Sequence, residues 1–169
     1  MEKKIGEIRE ELKAAEDNLL PDFIEKYSLD ERSGVQTLIA QAKKRIEKLE
    51  QEKARIEALK KYEKEYAGYG YICGIDEVGR GPLAGPVVAG AVILPEDCDI
   101  LYINDSKKLS AKKREMLYDE IMEKAVAVGI GMVGPARIDE INILQATYEA
   151  MREAISKLSV KPDILLNDA

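Results

Sequence analysis

Residues 71–94 read YICGIDEVGRGPLAGPVVAGAVIL, and their reading decides the fold. YICGIDEV (71–78) is an apolar, β-prone run that ends on two carboxylates, Asp76 and Glu77. Three Gly and two Pro then crowd into residues 79–86, which breaks any regular element. VVAGAVIL (87–94) is a near-continuous apolar run, so it is expected to be a strand buried on both faces. The loop formally satisfies G-x-G-x-x-A through Gly79, Gly81 and Ala84. A dinucleotide fingerprint needs a helix opening at those glycines, and Pro82 and Pro86 stand in that helix's place. No Gly-Lys-Ser/Thr follows, so it is not a P-loop either. What remains is a tight turn presenting backbone amides, with Arg80 as a cationic partner, beside an acidic strand end.

Downstream, Ser110 is the expected N-cap of a helix over AKKREMLYDEIMEK. AVAVGIGMV (125–133) reads as a strand, and residues 138–157 as one amphipathic helix with Ile141, Leu144, Ala146, Tyr148, Met151 and Ile155 inward. A short strand ILLND ends at Asp168. Upstream, Ile5, Ile8, Leu12, Ala15 and Leu19 form one stripe on a helix that Pro21 should end. A second helix is expected from Val35 to Tyr66, with Val35, Ala42, Leu49 and Ile56 at heptad spacing. At roughly 150 residues per domain, 169 residues suggest one domain with an appendage. The expected division is a helical hairpin over 1–66 and an α/β domain over 67–169, its sheet mixed and flanked by helices.

Composition narrows the chemistry. The chain has no His, which excludes a Ser-His-Asp triad, a Cys-His pair and His-ligated zinc. Trp is absent and Phe occurs once, so base stacking would fall to the eight Tyr. Cys73 and Cys98 lack metal or redox spacing and are expected to be free thiols. The first 30 residues carry Glu2, Lys3, Lys4, Glu7 and Arg9 without an apolar core, and no 18-residue apolar run occurs, so a cytoplasmic protein with no membrane span is expected. Net charge is −6, from 26 basic and 32 acidic residues. Within the acidic second half, NDSKKLSAKKR (104–114) is locally basic, which is compatible with phosphate contacts.

Asp76 and Glu77 at one strand end, and Asp168 at another, are costly unless solvated, paired or bound to a cation. If the two strands are neighbours, Asp76 and Asp168 meet at one edge. All-oxygen ligands suit Mg²⁺ or Mn²⁺ rather than zinc.

YICGIDEVGRGPLAGPVVAGAV (71–92) resembles the signature of ribonuclease HII, the bacterial type 2 ribonuclease H. NDSKKLS (104–110), INILQATYEAM (141–151) and ILLNDA (164–169) resemble that family's later blocks, in the same order. The helical arm resembles the N-terminal extension of some Gram-positive members. The resemblance implies a ribonuclease H-like mixed sheet and an endonuclease that hydrolyses the RNA strand of RNA–DNA hybrids and cuts at ribonucleotides embedded in DNA. It implies divalent metal ions, Mn²⁺ or Mg²⁺, held by Asp76, Glu77 and Asp168. Gly79, Arg80 and Gly81 match the motif that senses the 2′-hydroxyl, and Lys107 matches a lysine near the substrate phosphates. The expected partner is nucleic acid, with the protein acting as a monomer. The alternative is a non-catalytic nucleic-acid-binding or interaction fragment. The resemblance covers the front part of the catalytic domain, and the family's fourth acid is expected beyond Ala169.

Overall fold

The structure is a computed structural model and describes residues 3–81 and 84–167. It divides into two compact units, residues 1–58 and 59–169.

The first unit is helical. Helix α1 (Ile5–Ala14) is followed by a 3-10 turn (Asp17–Leu19), α2 (Leu20–Tyr27) and the long α3 (Ser33–Leu59). Pro21 does not end the first helix: α1 stops at Ala14, and Pro21 opens α2. The first turn of a helix has no partner for a backbone N–H, so a residue that lacks one costs nothing there. The long second helix is interrupted too, because α3 ends at Leu59 and a separate α4 (Lys61–Tyr66) begins after Lys60. Ile8 and Leu12 of α1, Leu20, Phe23 and Tyr27 of α2, and Val35, Leu38, Ile39 and Ala42 of α3 form one core. Each large side chain buried here contributes about 1.5–3 kcal/mol relative to exposure. At the rim, the Glu11 carboxylate is bound by Lys3, by Lys26 Nζ at 2.5 Å and by the Tyr27 hydroxyl at 2.8 Å. These donors, Lys26 foremost, pull its pKa from 4.5 to about 2.

The second unit contains a four-stranded mixed sheet in the order β3-β2-β1-β4. Strands β1 (Ile72–Val78) and β2 (Val87–Ile93) pair antiparallel, as do β2 and β3 (Ala127–Val133). Strand β4 (Ile164–Asn167) pairs parallel with β1, with Ile72 opposite Ile164 and Ile75 opposite Asn167. Helix α5 (Ala111–Lys124) lies between β2 and β3 in the chain, and Ser110 caps it by accepting the Lys113 N–H at 3.3 Å.

The expected helix over 138–157 is two helices, α6 (Pro135–Ile141) and α7 (Ile143–Ser156). Asn142 separates them at φ +69°, in the left-handed region, where its side chain accepts the Gln145 N–H at 3.1 Å and caps α7. Strand β2 is not buried on both faces. Val87, Ala89, Ala91 and Ile93 are buried, and the residues between them are half-buried.

The buried face of the sheet packs on α7 through Ala146, Ala150, Met151 and Ala154. The approach is close enough that a Cβ at Gly129 would lie 2.0 Å from the Ala154 carbonyl oxygen, and one at Gly131 2.0 Å from that of Ala150. Small residues therefore define this interface, while Leu144 and Tyr148, expected inward, are exposed. Helix α7 also ties down the outer strand β3. Glu153 accepts the Met132 N–H at 2.9 Å, Lys157 donates to the Ile130 carbonyl at 2.8 Å, and the two side chains pair at 2.7 Å.

Candidate metal and nucleic-acid site

Strand β1 carries Asp76 and Glu77 near its C-terminal end. Cys73 and Ile75 are buried in the core shared with α7, and Asp76 is exposed. Alternation along a strand sends neighbouring side chains to opposite faces. Asp76 accordingly lines an open cleft of about 1270 Å³, and Glu77 is absent from that lining. The Asp76 Oδ1 atom accepts the Glu77 N–H at 2.7 Å, which fixes the carboxylate against its own backbone.

Glu77 is mostly enclosed, with 15% of its side chain exposed, and faces Arg80 at 3.6 Å. That distance describes a loose ion pair beside half-exposed Arg80, worth no more than about 1 kcal/mol. Gly79 turns the chain out of β1 at φ +94°, and a Cβ there would sit 2.3 Å from the Pro86 carbonyl oxygen. Glycine is therefore required at this position on two counts, conformation and space. Gly81 is exposed, and Pro82 and Leu83 lie outside the described residues.

Lys107 sits in a single 3-10 turn (Ser106–Lys108), where Asp105 caps the turn by accepting the Lys107 N–H at 2.9 Å. Its side chain is exposed and does not line the cleft of Asp76. Two other bases of this segment serve the local structure. Arg114 donates to the carbonyls of Ser106 and Leu109, and Lys113 stands 4.7 Å from the Tyr102 ring centre. Asp168 lies outside the described residues. The last described residue of β4 is Asn167, paired with Ile75 and lining the same cleft as Asp76.

Among the described residues no group of three or more Asp, Glu or Cys side chains is close enough to hold a metal ion. The donor chemistry nevertheless matches a hard cation: the available atoms are carboxylate oxygens, and one of the two carboxylates is open to solvent. Among the described residues, no helix is long and apolar enough to cross a membrane.

The cleft itself was not legible in the sequence. Its walls include Tyr62 and Tyr66 of α4, Tyr71, the half-buried Cys98, and Leu165 and Leu166 of β4. Residues 59–66 fold with the second unit rather than the first. The available signal was the recurrence of Tyr62, Tyr66 and Tyr69 at helical spacing where the heptads stop.

Comparison with known proteins identifies the family. The family model described as ribonuclease HII N-terminal domain matches residues 4–67, and the model described as ribonuclease HII matches residues 73–169. The chain is 63% identical over 166 residues to a protein of Lachnoclostridium phytofermentans named ribonuclease HII, covering 98% of this chain and 65% of the relative. It is 50% identical over 169 residues to a Bacillus cytotoxicus protein of the same name, covering 99% and 64%. A crystal structure of the ribonuclease H2 from Pyrococcus horikoshii OT3 matches with a TM-score of 0.48 at 30% identity, covering 58% of this chain and 49% of that one. The chain thus spans just under two thirds of the length of these curated relatives. With both of its segments matched in order, and at this level of identity, the chain belongs to the ribonuclease HII family.

Proposed function

We propose that the protein is a metal-dependent endonuclease that hydrolyses the RNA strand of RNA–DNA hybrids and cuts at ribonucleotides embedded in DNA. The observation that carries this reading is the parallel pairing of β1 with β4. It brings the end of β4 beside the end of β1, where Asp76 opens into the cleft. Family membership supports the substrate class.

Asp76, Glu77 and Asp168, the residue after Asn167 in the chain, would hold Mg²⁺ or Mn²⁺. When bound, a pair of such ions activates a water and stabilises the leaving oxygen of a phosphodiester. The rest falls to the chain's own groups. Asp76 keeps its carboxylate oriented through the Glu77 N–H. The turn at Gly79, Arg80 and Gly81 would offer backbone amides to a sugar, with open space where a side chain at Gly81 would stand. The 2′-hydroxyl is the group that separates RNA from DNA, and an amide at such a turn reaches it directly. Arg80 and the exposed Lys107 would meet phosphates, which position the strand without reading its sequence.

The test uses the protein expressed from its complete reading frame and three duplexes: all-DNA, DNA with one ribonucleotide, and an RNA–DNA hybrid. Cleavage of the last two with Mg²⁺ or Mn²⁺, none of the first, and loss of activity with a chelator are expected. Equal cutting of the all-DNA duplex, or cutting in the presence of chelator, contradicts the reading.

A further inference from the structure

We propose that Asp163 is a positioning residue for the metal site: it latches the start of β4 to the start of β1 and so sets the register that delivers the end of β4 beside Asp76. The inference rests on the reading of Asp76 and Asp168 as metal ligands.

Asp163 stands immediately before β4 and binds Tyr71, which stands immediately before β1, in two directions. Its carboxylate Oδ2 accepts the Tyr71 N–H at 2.9 Å, and its own N–H donates to the Tyr71 carbonyl at 2.8 Å. The Ile164 N–H reaches the same carbonyl at 3.2 Å. Gly70 makes room for this arrangement. It lies at φ +97°, and a Cβ there would stand 2.4 Å from Asp163 Oδ2.

Strand β4 has little else to hold it. It spans Ile164–Asn167, alternates between half-buried and exposed, and among the described residues is hydrogen-bonded in the sheet to β1 alone. A slip of one residue would move each of its side chains to the other face and shift it by about 3.3 Å. Mg²⁺ demands oxygen ligands at close to 2.1 Å, so a ligand displaced by that much is lost. Tyr71 precedes Asp76 by the same number of residues as Asp163 precedes Asp168. A latch at the strand starts therefore sets which residues face each other at the strand ends. Asp163 cannot share an ion with Asp76, because the intervening strand holds them roughly 16 Å apart at 3.3 Å per residue. Its contribution is placement.

The experiment compares Mn²⁺ binding by calorimetry and hydrogen exchange of residues 164–167 in the parent protein and in Asp163→Ala, Asp163→Asn, Gly70→Ala and Asp76→Asn, all from the complete reading frame. Asp163→Ala is expected to weaken Mn²⁺ binding by about tenfold or more, the range found when groups orienting metal ligands are removed. It should speed exchange in 164–167 while leaving residues 87–93 and 127–133 protected. Asp163→Asn keeps an oxygen acceptor for the Tyr71 N–H and should restore binding to within about threefold of the parent. Gly70→Ala pushes on the same carboxylate from the other side and supplies the same test where Asp163→Ala does not fold. Parent-like Mn²⁺ binding in both Asp163→Ala and Gly70→Ala, with binding lost in Asp76→Asn, overturns the latch and leaves the metal reading standing. Failure of Asp163→Asn to restore binding also overturns it, because the charge rather than the hydrogen bond would then be what matters. Parent-like binding in Asp76→Asn removes the metal reading on which the inference rests.

Discussion

Replacing Gly131 with alanine should unseat α7 from the sheet. The added Cβ would lie 2.0 Å from the Ala150 carbonyl oxygen, 2.7 Å from the Ala154 nitrogen and 2.9 Å from the Ala150 carbonyl carbon. Ordinary contact begins at about 3.4 Å, so close to 1.4 Å must be found. Every one of the three obstacles is backbone, and no rotamer change can clear them. The helix has to lift, and a gap of even 0.5–1 Å forfeits a quarter to a half of the dispersion energy along the seam of Ala146, Ala150, Met151 and Ala154. Overpacking a core costs about 1–3 kcal/mol, and a backbone-to-backbone obstacle puts this case at the upper end, about 3 kcal/mol. For a unit of this size each kcal/mol lowers Tm by roughly 4–8 °C, so Gly131→Ala should melt at least about 12 °C below the parent. Gly90→Ala is the control, since a Cβ there meets nothing within 4 Å. Thermal and denaturant unfolding followed by circular dichroism read both. A Gly131→Ala midpoint within about 2 °C of the Gly90→Ala midpoint would refute the close-packing argument.

Two further expectations concern the first unit and the sheet edge. The lowered pKa of Glu11 stabilises the folded state fully above its ordinary value of 4.5, and that stability is lost as pH falls toward about 2. After allowance for solvent around the half-exposed lysines, about 1–2 kcal/mol is at stake. Glu11→Gln should lose that amount at neutral pH and flatten the acid limb of a stability–pH curve for residues 1–58, and an unchanged acid limb tells against the clasp. At the other end of the protein, the double change Glu153→Ala with Lys157→Ala frees the Met132 N–H and the Ile130 carbonyl on the outer strand. Exposed strand edges pair with one another, so light scattering should show a higher apparent mass than for the parent, rising with concentration. A mass equal to the parent's at every concentration would show that these two contacts do not guard the edge.

Much of the fold was legible because its signals are local. The apolar runs at 71–78, 87–94 and 125–133 gave strands, Ser110 gave a cap, and the crowding of Gly and Pro after Glu77 gave the turn that Gly79 makes. The break at Asn142 is not legible, although Asn is a capping residue, because the apolar spacing of Ile141, Leu144, Tyr148, Met151 and Ile155 continues across it. On helix α7, Ala146 and Met151 point inward as expected, whereas Leu144 and Tyr148 do not, for a different reason. Its contact with Gly129 and Gly131 is so close that residue size selects the buried side, and Ala displaces Leu144 and Tyr148. Strand β2 reads as buried on both faces because Val88, Gly90 and Val92 keep its second face apolar although that face is only half covered. At the candidate site, the carboxylates were legible by type, and their separation onto two faces of β1 followed only from the strand's alternation. The Asp163–Tyr71 latch joins residues 92 positions apart, and no local pattern announces such a pair.

The central claim is that Asp76 holds the metal ions that cut a ribonucleotide-containing strand. The most direct measurement is the cleavage rate of Asp76→Asn against the parent on a DNA duplex containing one ribonucleotide, with Mn²⁺ and circular dichroism recorded on the same samples. An amide has the shape of the carboxylate without its charge, so the spectrum should be unchanged while cleavage falls by about a hundredfold or more. Cleavage within about threefold of the parent, by a variant with the parent's spectrum, would contradict the account.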